Sequence, residues 1–253
     1  MKLFVSSGYA HLEEFINKIP LSDYHRDKVI CKTRNTVEKV TAPDGTQLVV
    51  KRYKRPTIAN QFVYTFLRWS KPKRSYKFAC RLAEQGIETA EPIAYIEIFK
   101  YGIFHTGYYI TRFVTDQLMS DIDNFSLSER EVILHEFAQY TAYIHSKGIK
   151  HGDYNMGNVF FRREGDHYHF SLIDINRMQF RRRLSRRTCG KEIKSLSTRR
   201  DIVTVAERYA LIRNWNVDLF CGTIFMDRAI NLTRRFKKIL HFVIRPFVRP
   251  QTR

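Results

Sequence analysis

A carboxylate, an amide and a second carboxylate at fixed offsets constrain this chain more than any other feature. The run His151-Gly152-Asp153-Tyr154-Asn155-Met156-Gly157-Asn158 places an Asn five residues after an Asp, and Asp174 follows sixteen positions beyond Asn158. Between them Val159-Phe160-Phe161 is apolar, residues 162–166 carry turn formers, and Tyr168 to Ile173 is apolar again, which predicts a β-hairpin. A hairpin returns to where it began, so Asn158 entering and Asp174 leaving are expected side by side. Phosphoryl transfer asks for a carboxylate to receive a hydroxyl proton and for oxygen ligands to hold magnesium on a nucleotide's phosphates. Asp153 fits the first role, Asn158 and Asp174 the second. An HxD triplet alone is commonplace in turns; the specificity lies in the whole constellation.

That constellation resembles the catalytic loop and metal-binding segment of the protein-kinase-like fold. The version His151-Gly152-Asp153, with Leu172-Ile173-Asp174-Ile175-Asn176-Arg177-Met178 downstream, is similar to the lipopolysaccharide kinase family, bacterial enzymes that phosphorylate heptose or Kdo sugars of the lipopolysaccharide inner core. The resemblance runs from about Lys32 to about Tyr209. It implies an α+β, two-lobed fold: a small antiparallel-sheet N-lobe over residues 1–115, a mainly helical C-lobe over 116–253, and the active site in the cleft. It also implies ATP and Mg2+ as cofactors and a lipid-anchored, anionic core glycolipid as substrate. Lys51, ending a Leu48-Val49-Val50 run, would then grip the nucleotide's α/β-phosphates. Arg34-Asn35-Thr36 would lie at a hairpin turn, where the Asn35 side chain meets phosphate oxygens.

Four departures from the kinase pattern accompany the resemblance. No glycine-rich loop is present, and the helix acid that pairs with the strand lysine is missing near Ser75, with none before Glu84. Either Glu84 serves through another register or Lys51 has no carboxylate partner. Gly152 stands where many protein kinases carry an Arg that receives an activation-loop phosphate, and no Ala-Pro-Glu-like anchor follows Asp174.

Periodicity and punctuation organise the rest. An amphipathic segment spans His11 to Ile19, closed by Pro20. Arg34–Val40 and Gln47–Tyr53 flank a Pro43-Asp44-Gly45 turn and read as a hairpin. Pro72 breaks the aromatic stretch from a helix over Arg74–Gln85, which Gly86 ends. Glu91–Ile98 and Tyr108–Val114, separated by a Gly102 to Gly107 turn region, complete a sheet of about five strands, with a hinge at Arg112–Asp116. Ser126 with Glu129 and Ser128 with Glu131 form overlapping capping boxes for a helix to about Lys147 that carries Ile133, Phe137, Tyr140 and Ile144 on one stripe. His151 reads as a prop bonded to loop backbone, and Arg177 as either an anion clamp or a structural ion pair. Helices over 201–213 and 223–243 close the chain.

Charge bears on partners. The formal balance is 44 − 25 = +19, a field that attracts nucleic acid, an anionic membrane face or a phosphorylated substrate. Gly45 to Ala83 contains no acid but ten cations, a second block runs from Arg181 to Arg200, and a third lies between Arg234 and Arg253. No run approaches the ~20 apolar residues of a membrane span, the first residues are too short in apolar character for a signal peptide, and the scattered Cys31, Cys80, Cys189 and Cys221 suit a reducing compartment. The expectation is a cytoplasmic protein, peripheral on the inner membrane, docked through basic patches on an anionic surface. Competing readings are an atypical protein kinase using the same residues and a catalytically silent scaffold. A nucleic-acid binder using Phe62, Tyr64, Phe66 and Trp69 among cations leaves Asp153, Asn158 and Asp174 unexplained, so nucleic acid is disfavoured as a partner.

Overall fold

The computed structural model describes residues 1–196 and 201–226. The chain forms two compact units, one of Met1–Asn124 with His151–Gln179, the other of Phe125–Lys150 with the chain from Phe180 onward. The first is built on a six-stranded antiparallel sheet in which β1 (Lys2–Val5), β5 (Pro92–Lys100), β6 (Ile103–Arg112), β4 (Gln47–Arg52), β3 (Thr36–Thr41) and β2 (Lys28–Lys32) lie in that order. The β3–β4 hairpin turns at Asp44, whose carboxylate accepts the Thr46 N–H and hydroxyl at 2.9 and 2.7 Å. Alternation along β4 sends Leu48 and Val50 to one face, where Val40, Ile93, Ile96 and Ile110 meet them. Leu12 and Ile16 cover that face from the N-terminal segment, whose helix α1 spans Glu13–Lys18. The opposite face gathers Tyr53, Tyr76, Tyr95 and Tyr109 beside helix α3 (Lys71–Ala83).

Several expectations are corrected here. The sheet has six strands rather than about five, because the N-terminus adds β1 along β5. Pro72 parts the aromatic run from α3, but from within the helix's first turn, where a missing N–H costs nothing; α3 therefore begins at Lys71 rather than Arg74, behind an N-cap Ser70 whose hydroxyl accepts the Lys73 N–H at 3.4 Å. The β5–β6 turn is at Tyr101 and Gly102, both at positive φ, not spread over 102–107. Gly107 is a strand residue, and a Cβ there would meet the Ile96 carbonyl and the Pro72 ring at 2.4 and 2.8 Å, so α3 rests on the sheet through that gap.

The predicted hairpin exists as β9 (Val159–Glu164) and β10 (His167–Leu172), with β7 (Gln117–Leu118) along β9. This hairpin groups with the six-stranded sheet in the first unit. The Leu172 N–H donates to the Glu88 carbonyl at 3.0 Å, the Thr89 hydroxyl donates to the Leu172 carbonyl at 2.6 Å, and Arg162 pairs with Glu88 at 2.7 Å.

In the second unit, helix α4 (Leu127–Ser146) starts at Ser126, whose hydroxyl accepts the Glu129 N–H at 3.3 Å, and leads to the two-residue strand β8 (Ile149–Lys150). Its buried stripe, with Ile133, Phe137 and Ile144, faces a core shared with α5 (Arg186–Leu196) and α6 (Asp201–Ile212). Sequence reading saw only basic residues in α5; Cys189, Ile193 and Leu196 form its apolar stripe. Residues 217–226 are helical, and Phe220 and Ile224 pack on Gly190. The rest of the helix expected over 223–243, together with Arg199, Arg200 and the C-terminal cations, lies outside the described residues.

Candidate active site

The loop ahead of β9 is held by His151, which is fully buried. Its Nε2 contacts the Ile173 carbonyl at 2.9 Å and therefore carries the proton, since a carbonyl can only accept. That leaves Nδ1 to accept the Asp153 N–H at 3.3 Å, so the ring acts as a backbone prop. Two amides then grip the Asp153 carbonyl, Asn155 Nδ2 at 2.9 Å and Asn158 Nδ2 at 2.8 Å. Committing its nitrogen to the loop turns the Asn158 oxygen the other way. The hairpin geometry does what the offsets demanded: the Ile173 N–H donates to the Asn158 carbonyl at 3.0 Å, bringing the entering Asn158 and the leaving Asp174 to one end.

Gly152 has φ +79°, and a Cβ there would lie 2.6 Å from the Arg177 carbonyl. Only glycine takes that backbone at no steric cost, which is why no Arg stands between His151 and Asp153. Arg177 in turn places Nη1 3.2 Å from the Asp153 carboxylate, so of its two expected roles the ion pair is the one present. Asp153 remains about two-fifths exposed, open to an incoming group.

Lys51 and Asp174 meet at 2.7 Å, 123 residues apart in sequence. Burial alone would raise the Asp174 pKa, but the Lys51 charge and hydrogen bond, with a further bond from Asn176 Nδ2, outweigh it and hold the carboxyl below its ordinary value. Lys51 also lies over the Tyr53 ring at 5.4 Å. Both charged groups line a cavity of about 500 Å³ whose other walls include Val37, Val49, Val114, Leu118 and Ile173. An apolar shelf beside a charged end suits a planar base joined to phosphates. Asn158 is on the charged wall too.

The question of Lys51's acidic partner is thereby answered among the described residues: it is Asp174. Glu84 caps the far end of α3 and is exposed. At the helix position where an acid was expected, Ser75 hydrogen-bonds the Tyr53 hydroxyl at 2.8 Å. One turn earlier, Lys71 was missed in the sequence; it is partly buried, and burial first, then Arg34, Arg177 and Arg74, push its pKa down. Asn35 is not brought to the cavity wall. Its side-chain oxygen accepts the Lys54 N–H at 3.1 Å, tying the β2–β3 turn to the end of β4. No group of three or more His, Cys, Asp or Glu among the described residues is placed to hold a metal. The oxygen donors Asn158 and Asp174 do suit a hard cation that keeps several of its waters.

Comparison with known proteins gives one fold and one family. The chain is similar to the solved structure of WaaP in complex with acyl carrier protein, at TM-score 0.58 and 17% identity, over 94% of this chain and 98% of that one. It is also similar to the Rio2 kinase from Chaetomium thermophilum, solved as an ADP/Mg2+-phosphoaspartate complex, at TM-score 0.50 and 14% identity, over 89% of this chain and 78% of that one. The fold is thus the two-lobed α+β kinase-like fold. A search of curated proteins returned no match. The model of the lipopolysaccharide kinase (Kdo/WaaP) family matches residues 31–215, from the second strand to the close of the helical unit. With most of its length so matched, the chain belongs to the lipopolysaccharide kinase (Kdo/WaaP) family.

Proposed function

We propose that this kinase of the lipopolysaccharide core transfers phosphate from ATP to a hydroxyl of an inner-core sugar, heptose or Kdo. The observation that carries the reading is the convergence of Lys51, Asn158 and Asp174 on one cavity, with Asp153 held on the loop whose carbonyl Asn158 grips. Asp153 takes the sugar hydroxyl's proton as the oxygen bonds to the terminal phosphorus, and the bond from that phosphorus to the departing ADP breaks. Arg177 Nη1, 3.2 Å away, aims the Asp153 carboxylate. Asn158 and Asp174 would hold Mg2+, which neutralises charge on the phosphates. Lys51 exchanges Asp174 for phosphate oxygens when nucleotide enters. Asn35, through its turn, would add a contact at the phosphate end.

The acceptor is lipid-anchored and anionic, which fits the excess of cations and a peripheral position on the cytoplasmic face of the inner membrane. No helix among the described residues is long and apolar enough to cross a membrane. Purified protein with ATP, Mg2+ and deacylated core oligosaccharide should add one phosphate, read by mass spectrometry. Transfer to generic protein acceptors and none to the oligosaccharide would overturn the assignment in favour of a protein kinase.

A further inference from the structure

Residues 58–67 form one helical run, α2 (Ile58–Phe62) continued by a π turn over Val63–Leu67, and its largest exposed side chains are apolar. Gln61 is buried and donates through Nε2 to the Pro56 carbonyl at 3.0 Å. One turn later the Thr65 hydroxyl donates to the Gln61 carbonyl at 2.7 Å and accepts the Phe104 N–H at 2.9 Å. The outward side carries Ile58, Phe62 and Phe66 at intervals of four, then Leu67 and Trp69, and these are 71%, 47%, 71%, 82% and 52% exposed. Phe62 and Phe66 stack on each other at 6.4 Å. A helix made for water turns such a stripe inward and leaves Gln and Thr outside. A contiguous exposed apolar patch marks an interaction surface.

Charge selects the occupant. Lys54 and Arg55 precede the stripe, Arg68 and Lys73 follow it, and no acid occurs from Gly45 to Ala83. The Lys73 ammonium lies 5.9 Å from the Trp69 ring. Apolar and aromatic side chains bordered by cations are the composition of a surface that lies in a bilayer interface. We infer that Ile58, Phe62, Phe66, Leu67 and Trp69 insert at the headgroup–acyl boundary of an anionic lipid leaflet, with the flanking cations on lipid phosphates. The inference rests on the proposed function, because a glycolipid acceptor is itself embedded in a leaflet.

Full-length protein should float with vesicles of phosphatidylcholine plus phosphatidylglycerol and stay behind with phosphatidylcholine alone. Phe62→Ser/Phe66→Ser should weaken flotation about tenfold or more while its melting temperature holds, as expected for exposed side chains that anchor an interfacial segment. Arg68→Glu/Lys73→Glu should weaken it with the apolar stripe intact. Brominated lipid should quench the Trp69 fraction of the emission, and Trp69→Phe should abolish that quenching. Flotation equal to the parent's in the serine variant, or no quenching of Trp69, overturns the inference. So does a parent dimer that the serine variant splits, which would make a second copy the occupant, or loss of vesicle binding in favour of an acidic protein. Transfer separates the two readings. The serine variant should match the parent on deacylated acceptor and fail on vesicle-embedded acceptor; flotation without transfer to either acceptor by the parent sinks the kinase proposal alone.

Discussion

Two ion pairs, one in each compact unit, share their chemistry and differ in what surrounds them. In the first, Lys51 meets Asp174 beside a cavity of about 500 Å³. In the second, Arg130 grips one oxygen of Asp201, in α6, through Nε, at 3.1 Å, and Nη2. Lys51 and Asp174 are 16% and 27% exposed, Arg130 and Asp201 21% and 7%, so the carboxylates differ and the cations do not. The more open carboxylate lines a cavity, where a ligand can take its place on Lys51, whereas the nearly buried Asp201 joins α4 to α6.

The comparison breaks most visibly at the residue that neither pair contains. Asp153→Asn should cut phosphate transfer by about 10²–10⁴-fold with nucleotide affinity and melting temperature near parental, as read by steady-state assay and calorimetry. Transfer at the parent rate would remove Asp153 from the chemistry. Asp174→Ala should cost about 2 kcal/mol or more of Mg–nucleotide affinity, since it strips a charge partner from a partly buried site; an unchanged titration would make the Lys51 pair structural like its counterpart. Arg130→Ala should do the converse, lowering stability by about 1–3 kcal/mol in urea unfolding while nucleotide affinity holds. The smallest effect concerns pH. Burial disfavours the charged form of His145, but Cys189 and Glu192, whose carboxylate lies 3.6 Å away, outweigh it and raise its pKa. A raised histidine contributes stability that is complete below its unfolded value near 6.5 and is lost as pH rises through the folded value. The unfolding free energy from urea titrations should therefore fall as pH rises above about 6.5, and His145→Gln should flatten that dependence; a parental slope in the variant would place the titration elsewhere.

What could be read in the sequence follows from distance along the chain. Asn158 and Asp174 were legible as neighbours because a local hairpin joins them, and the Ser126 cap and Gly86 stop were legible because caps act within one turn. Lys51's partner was not, since a separation of 123 positions carries no local signal of the pairing. Edge strand β1 is four residues long and gains its identity only from β5. The start of α3 was read three residues late because a proline is favoured inside a helix's first turn as well as ahead of it. Tyr101 takes positive φ where a turn signal favours Gly or Asn. Asn35 was assigned to phosphate by resemblance alone; that its side-chain oxygen accepts the Lys54 N–H carries no signal in the sequence.

The missing side chain at Gly152 has a regulatory corollary. With the Arg177 carbonyl filling the space a Cβ would need, a guanidinium cannot be installed there to recognise a phosphate written elsewhere on the chain. Control of this loop through a phosphate held by a side chain at position 152 is therefore closed to this protein.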